Sequence, residues 1–170
     1  MWRGAASPSP HFRRGGVLVS PAGQDREQTM KKQGKEIAIF YCTRQRERVN
    51  EILKGLNCPG VLRLRQVALP CSGKLEVVQL TKALENGADG VALFGCPEEE
   101  CRYVVGSSRA KGRVSHAGKI LETIGLQNAR VRRFVLESQL SQENQKAISD
   151  WIEKVRTMGS IPQDSRSSSL

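Results

Sequence analysis

Four short apolar runs recur along this chain, and each is divided from the next by a stretch long enough for a helix. The first, Glu36 to Tyr41, is followed by Thr43 as a candidate N-cap and by Val49, Ile52, Leu53 and Leu56 at helical spacing. Asn57-Cys58-Pro59-Gly60 breaks that helix, and Val61 to Leu69 reads as the second strand. Pro70 to Gly73 turns the chain into a second helix, with Val77, Leu80 and Leu84 on one face and Gly87 just past its end. Ala88 to Gly95 supplies the third strand. Cys96 and Pro97, followed by Glu98, Glu99 and Glu100, predict a short helix start, because proline suits a first turn and acids there complement the helix dipole. Ser107 or Ser108 is then expected to cap a longer helix carrying Val114, Ala117, Leu121 and Ile124, ending at Gly125. Val131 to Leu136 is the fourth strand, and a last helix from about Ser141 to Thr157 buries Ile148, Trp151, Ile152 and Val155.

Hairpins cannot join strands separated in this way, whereas right-handed helical crossovers can. The expected fold is therefore α/β: a small doubly wound, flavodoxin-like or Rossmann-like parallel sheet of four strands with helices on both faces. A chain of 170 residues suits one such core. Residues 1–34, with Pro8, Pro10 and Pro21 among glycines and serines, read as a disordered leader, and Met30 is a plausible alternative start. Residues 35–158 form the expected domain, and the serine-rich residues 159–170 form a tail.

Lys+Arg 27 against Asp+Glu 17 gives a formal charge of +10, which favours acidic partners. Nucleic acid is nevertheless a poor candidate, since aromatic residues are only 5% and do not interleave with the basic ones as a base-stacking platform requires. No apolar run reaches membrane-spanning length, so no membrane association is expected. The start lacks the continuous apolar segment of a signal peptide, and five cysteines are an odd number for a disulfide scaffold. A reducing, cytoplasmic setting is the expectation, with the thiols serving metal ligation, redox chemistry or ordinary packing.

All strands of a parallel sheet end on one edge, and the crevice beyond those carboxyl ends is where such folds bind ligands. Cys42 follows the first strand, Cys71 the second and Cys96 the third, so three thiols distant in sequence are expected to converge. Cys101 joins Cys96 across one short turn. Cys58 precedes the second strand and falls at the opposite edge, about 17–20 Å away. Four thiols satisfy structural zinc or an iron–sulfur cluster, but zinc usually draws on close Cys-x2-Cys knuckles. The intervals here are long, long and Cys-x4-Cys, an interval that also occurs in plant-type ferredoxins, which favours a [2Fe–2S] cluster on Cys42, Cys71, Cys96 and Cys101. Two helices are expected to open near this rim, one at Ser72 and Gly73 and one at Pro97, and the amides of their first turns would offer N–H groups to an anionic centre and raise its potential. Arg109, Lys111 and Arg113 are either a basic collar for that centre or a solvated helix face. His116 reads as a surface residue, and no dinucleotide fingerprint, phosphate loop or nucleophile elbow is present.

Leu69-Pro-Cys-Ser-Gly-Lys74, Gly87-Ala-Asp-Gly-Val91, Gly95-Cys-Pro-Glu-Glu-Glu-Cys-Arg-Tyr103 and Arg109-Ala-Lys-Gly-Arg113 together resemble the delta subunit of methyl-viologen-reducing hydrogenase, also called the hydrogenase iron–sulfur subunit family. The resemblance covers about Glu36 to Val155. It implies a small [2Fe–2S] electron carrier joining a hydrogenase or formate dehydrogenase to the flavin-bearing subunit of a heterodisulfide reductase. In that reading the chain relays electrons and makes no bond in a substrate, so it is an oxidoreductase only as part of a complex. Two departures stand out. The family commonly carries Cys-x2-Cys after its first strand, where this chain has Cys42 and Gln45, and it often has His, Gly and Asp where this chain has Pro97 to Glu100. The same four thiols also fit a zinc-stabilised binding module, and Cys96 with Cys101 fits a thiol oxidoreductase.

Overall fold

The computed structural model describes residues 34–56, 62–137 and 141–161; the rest of the expected leader and tail, and Cys58, lie outside the described residues. The chain runs β1 (Lys35–Cys42), α1 (Arg46–Gly55), β2 (Leu62–Leu69), α2 (Val77–Glu85), β3 (Gly90–Gly95), α3 (Gly106–Thr123), β4 (Val131–Val135) and α4 (Gln142–Thr157). Single 3-10 turns lie at Thr43–Gln45, Ser72–Lys74 and Asn128–Arg130.

The four strands form one sheet in the order β2-β1-β3-β4 with every pairing parallel. Alternation along the strands divides the core in two, because successive side chains point to opposite faces. Ala38 and Phe40 of β1 and Val91 and Leu93 of β3 pack with Leu80, Ala110, Val114 and Leu121 under α2 and α3. Ile37, Ile39, Tyr41, Ala92 and Phe94 pack with Val49, Ile52, Ile148, Trp151 and Val155 under α1 and α4. Burial on both sides explains why β1 and β3 read as unbroken apolar runs. The expected doubly wound α/β architecture is what the chain forms.

The chain steps from β1 to β2 through a helix on one face, then reverses direction and uses the other face for α2 and α3. Reversing both direction and face keeps every crossover of one hand. The strand order therefore switches between β1 and β3, and the crevice of such a sheet opens beyond the carboxyl ends of those two strands. Packing around Trp151 fixes the last helix. Its ring meets Phe134 edge-on at 5.6 Å, Phe134 stacks on Phe94 at 5.4 Å, and the indole N–H donates to Ala129 O at 2.7 Å.

Four local expectations are corrected. Cys96–Glu100 opens no helix; residues 96–105 form an irregular loop held by turns such as Cys101 N–H to Glu98 O at 3.3 Å and Val104 N–H to Cys101 O at 2.8 Å. A helix nucleus is costly, and Val104 at φ +54° lies outside helical geometry, so favourable first-turn residues alone do not start one. Neither Ser107 nor Ser108 caps α3: the N-cap is Val105, and Ser107 lies buried within the first turn. Ser72 and Gly73 form a 3-10 turn, while α2 starts later, after Glu76 N–H donates to Gln79 Oε1 at 2.8 Å. Ile124, expected on the buried face of α3, lies at its C-cap and is exposed.

Candidate metal centre

The carboxyl edge of the sheet collects the four cysteines by topology. Cys42 is the last residue of β1, Cys71 stands two positions beyond β2, Cys96 follows β3 directly, and the 96–105 loop brings Cys101 back to the same rim. All four are buried and carry free thiols. The thiols of Cys71 and Cys96 both donate to Cys101 Sγ. Cys42 acts electrostatically on Cys71 and Cys96, and its thiol reaches Pro70 O at 3.9 Å. Cys71, Cys96 and Cys101 thus form one contiguous group, and Cys42 lies on the same rim. Among the described residues no group of three or more Cys, His, Asp or Glu side chains is placed to hold a metal ion.

Glycines hold this group tightly. A Cβ added to Gly106 would lie 2.5 Å from Cys71 Sγ and 3.2 Å from Cys101 Sγ. One added to Gly73 would lie 2.6 Å from the Gly106 Cα, so the turn after β2 and the start of α3 touch backbone to backbone. That close approach exposes amides to sulfur. Gly73 N–H donates to Cys71 Sγ at 3.4 Å, and the N–H groups of Tyr103, Ser107 and Gly106 donate to Cys101.

The thiols differ in their readiness to ionise. Burial opposes charge on Cys101, but the amides of Tyr103 and Ser107, the Cys96 thiol and the Gly106 amide together bring its pKa below that of an ordinary thiol. Burial raises Cys71; the Gly73 amide offsets this in part, and the neighbouring Cys101 and Cys42 add to it. Burial first, and then the charge and hydrogen bond of Cys101, push Cys96 up to about 11. One thiolate forms readily and then resists the next. A bound metal cation removes that resistance, since coordinating thiols are deprotonated outright. Four close thiols, amides directed at sulfur and glycine-tight walls are the chemistry an iron–sulfur group requires.

The expected basic collar divides. Arg113 clamps the rim: it donates to Gly73 O at 2.6 Å and Leu75 O at 3.0 Å and pairs with Glu76 at 2.9 Å. Lys111 makes an exposed pair with Glu98 at 3.8 Å, and Arg109 is solvated. Gln45, standing where the family commonly has a second cysteine, is buried and accepts from Arg48 Nη1 at 2.7 Å. His116 is exposed, as expected. Sequence reasoning missed Gly106, Ser107 and Arg133. Ser107 donates to Cys96 O at 2.5 Å and accepts from Arg133, whose Nη2 also donates to Cys96 O at 3.3 Å. The available signal for Arg133 was an arginine inside an apolar strand. Tyr103, Val104 and Val105 form an exposed apolar step beside Cys101. A separate open cleft of about 520 Å³, lined by Glu122, Asn128, Lys154 and Met158 among others, lies at the other edge of the sheet and includes none of the cysteines.

Buried thiols collect at the switch point of a doubly wound α/β domain. Residues 37–159 match the family model described as methyl-viologen-reducing hydrogenase, delta subunit, and the chain belongs to that family. It is similar to the iron-sulfur subunit of the vhu F420-non-reducing hydrogenase of Methanocaldococcus jannaschii, 29% identical over 104 residues that cover 61% of this chain and 76% of the relative. The corresponding iron-sulfur subunit of the F420-non-reducing hydrogenase of Archaeoglobus profundus is 36% identical over 96 residues, 56% of this chain and 68% of the relative. A subunit of the ferredoxin:CoB-CoM heterodisulfide reductase of Methanosarcina mazei is 29% identical over 98 residues, which are 58% of this chain but 12% of that longer one. Among the described residues no helix is long and apolar enough to cross a membrane.

Proposed function

We propose that this chain carries a [2Fe–2S] cluster on Cys42, Cys71, Cys96 and Cys101 and relays single electrons from a hydrogenase- or formate dehydrogenase-type subunit to a heterodisulfide reductase-type flavoprotein. The observation that supports this reading is the set of four free, buried thiols at the sheet's switch-point edge, with Cys101 in hydrogen-bond reach of Cys71 and Cys96. When bound, the cluster supplies a one-electron couple. The residues of the chain do the rest. The thiolates hold iron, the amides of Gly73, Tyr103, Gly106 and Ser107 donate to sulfur and favour added negative charge, and the close contact between Gly73 and Gly106 keeps water from that side. The exposed Tyr103–Val105 step offers an apolar contact next to the centre, where a redox partner can approach within transfer distance. Substrate chemistry belongs to the partners, and the free thiols suit a cytoplasmic complex.

Anaerobic reconstitution with iron and sulfide, followed by metal and sulfide analysis and EPR of the reduced protein, tests the proposal. About two iron and two sulfide per chain with an S = 1/2 signal on reduction is the expected result. A folded chain that takes up zinc alone, or that cycles between dithiol and disulfide without metal, refutes it.

A further inference from the structure

Below the thiol rim lies a buried polar group to which the proposed relay assigns no part. Arg133 sits in β4 opposite Leu93 of β3, where its neighbours along the strand, Arg132 and Phe134, face the other way. Its guanidinium donates to Cys96 O at 3.3 Å and to the Ser107 hydroxyl, which itself donates to Cys96 O. Among the described residues the buried Nε–H has no partner, nor has the nearby Ser72 hydroxyl. Gly95 lies between them: a Cβ there would stand 3.5 Å from Ser72 Oγ and 3.8 Å from Arg133 Nε.

Arg133 differs from the other arginine at this rim. Arg113 is neutralised by Glu76 at 2.9 Å, whereas among the described residues Arg133 has no carboxylate within ion-pair distance. The charges that act on it are Glu98, at longer range, and the sulfurs of Cys96 and Cys101. A half-buried guanidinium held by two acceptors cannot swing into solvent, and it keeps its proton at any ordinary pH. Its charge acts on the Cys96 and Cys101 sulfurs.

We propose that Arg133 sets the reduction potential of the centre on Cys42, Cys71, Cys96 and Cys101, with Glu98 as its counterweight. The inference rests on the function proposed above. Reduction adds one electron and no proton to the site, so the added negative charge is stabilised by the fixed cation, and the potential is higher than it would be without it. Arg133 acts through Cys96, whose carbonyl it holds, and is a positioning residue.

EPR-monitored redox titrations of reconstituted wild type, Arg133→Gln, Arg133→Lys and Glu98→Gln test this. Arg133→Gln keeps a donor for Cys96 O but loses the charge, and its equilibrium constant for reduction is expected to fall about tenfold, the equivalent of 59 mV for a one-electron couple. Arg133→Lys is expected to stay within about twofold of wild type, and Glu98→Gln to shift about twofold in the opposite direction. An unchanged potential in Arg133→Gln, or an equal fall in the lysine and glutamine variants, overturns the proposal. If Arg133→Gln does not fold, Glu98→Gln decides, because its side chain is partly exposed and its substitution leaves the core alone; no rise in potential there refutes the counterweight and the inference with it. Wild type that binds no cluster removes the function proposed above as well, whereas a loaded wild type with insensitive variants removes only this inference.

Discussion

The two edges of the same sheet treat buried polar groups in opposite ways. At the amino edge, charges are closed upon one another. Asp89 accepts from Glu36 N–H at 3.0 Å and from Lys35 Nζ at 3.4 Å, Lys35 donates on to Met158 O at 2.8 Å, and Arg130 reaches Asp89 O at 2.8 Å and Gly159 O. These contacts tie β1, β3 and β4 to the end of α4, and among the described residues Arg130 Nε is the one side-chain atom of this group that is buried and unpartnered. At the carboxyl edge the buried thiols have mainly each other and a set of amides, and among the described residues Ser72 Oγ and Arg133 Nε have no partner. Buried polar groups are normally satisfied, and exceptions call for a function. The amino edge is closed by its own contacts; the carboxyl edge is the one the proposed cluster would occupy.

Substituting the thiols separates the two edges most sharply. Cys96→Ser or Cys101→Ser is expected to abolish iron retention and visible absorption after reconstitution while leaving far-UV circular dichroism intact, and Cys58→Ser is expected to retain wild-type iron. Asp89→Ala should do the reverse: removing the buried carboxylate takes away the acceptor of Glu36 N–H and the ion partner of Lys35 and costs about 3 kcal/mol in urea unfolding, with iron content per folded chain unchanged. Gly106→Ala falls between them. Its Cβ would overlap Cys71 Sγ, so it should lose about 2 kcal/mol and load less iron than wild type, both measurable on one sample. The smallest effect is expected at Val104, a β-branched residue at φ +54°; Val104→Gly relieves that backbone and should stabilise the chain by about 1 kcal/mol without altering iron content. A thiol variant that unfolds, or an Asp89 variant that loses iron, would erase the contrast.

The strands and the convergence of Cys42, Cys71 and Cys96 were legible because both follow from period and connection length: parallel strands separated by helices must end together. Cys101 was legible only through its nearness to Cys96. The loop that carries it was not, since Pro97 and the three glutamates favour a helix locally while contacts from α3 and the Cys71 turn hold the segment irregular. The same non-local cause hid Ser107 and Arg133. A serine near a helix start reads as a cap, and a strand arginine reads as a solvated edge residue, until β4 and α3 meet beneath Cys96. Gly106 carried no signal of its own, because the atoms that exclude a Cβ there belong to Cys71, 35 positions earlier in the chain. Ile124 fits the helical period but falls where the helix stops.

Iron K-edge X-ray absorption on the anaerobically reconstituted full chain addresses the central assignment most directly, because it reports the atoms around iron without a partner or an assay. The account predicts a first shell of sulfur alone with one iron neighbour, and loss of that iron-neighbour signal when Cys96 is replaced. A shell containing nitrogen or oxygen ligands in wild type, or an unchanged spectrum in the Cys96→Ser protein, would contradict it.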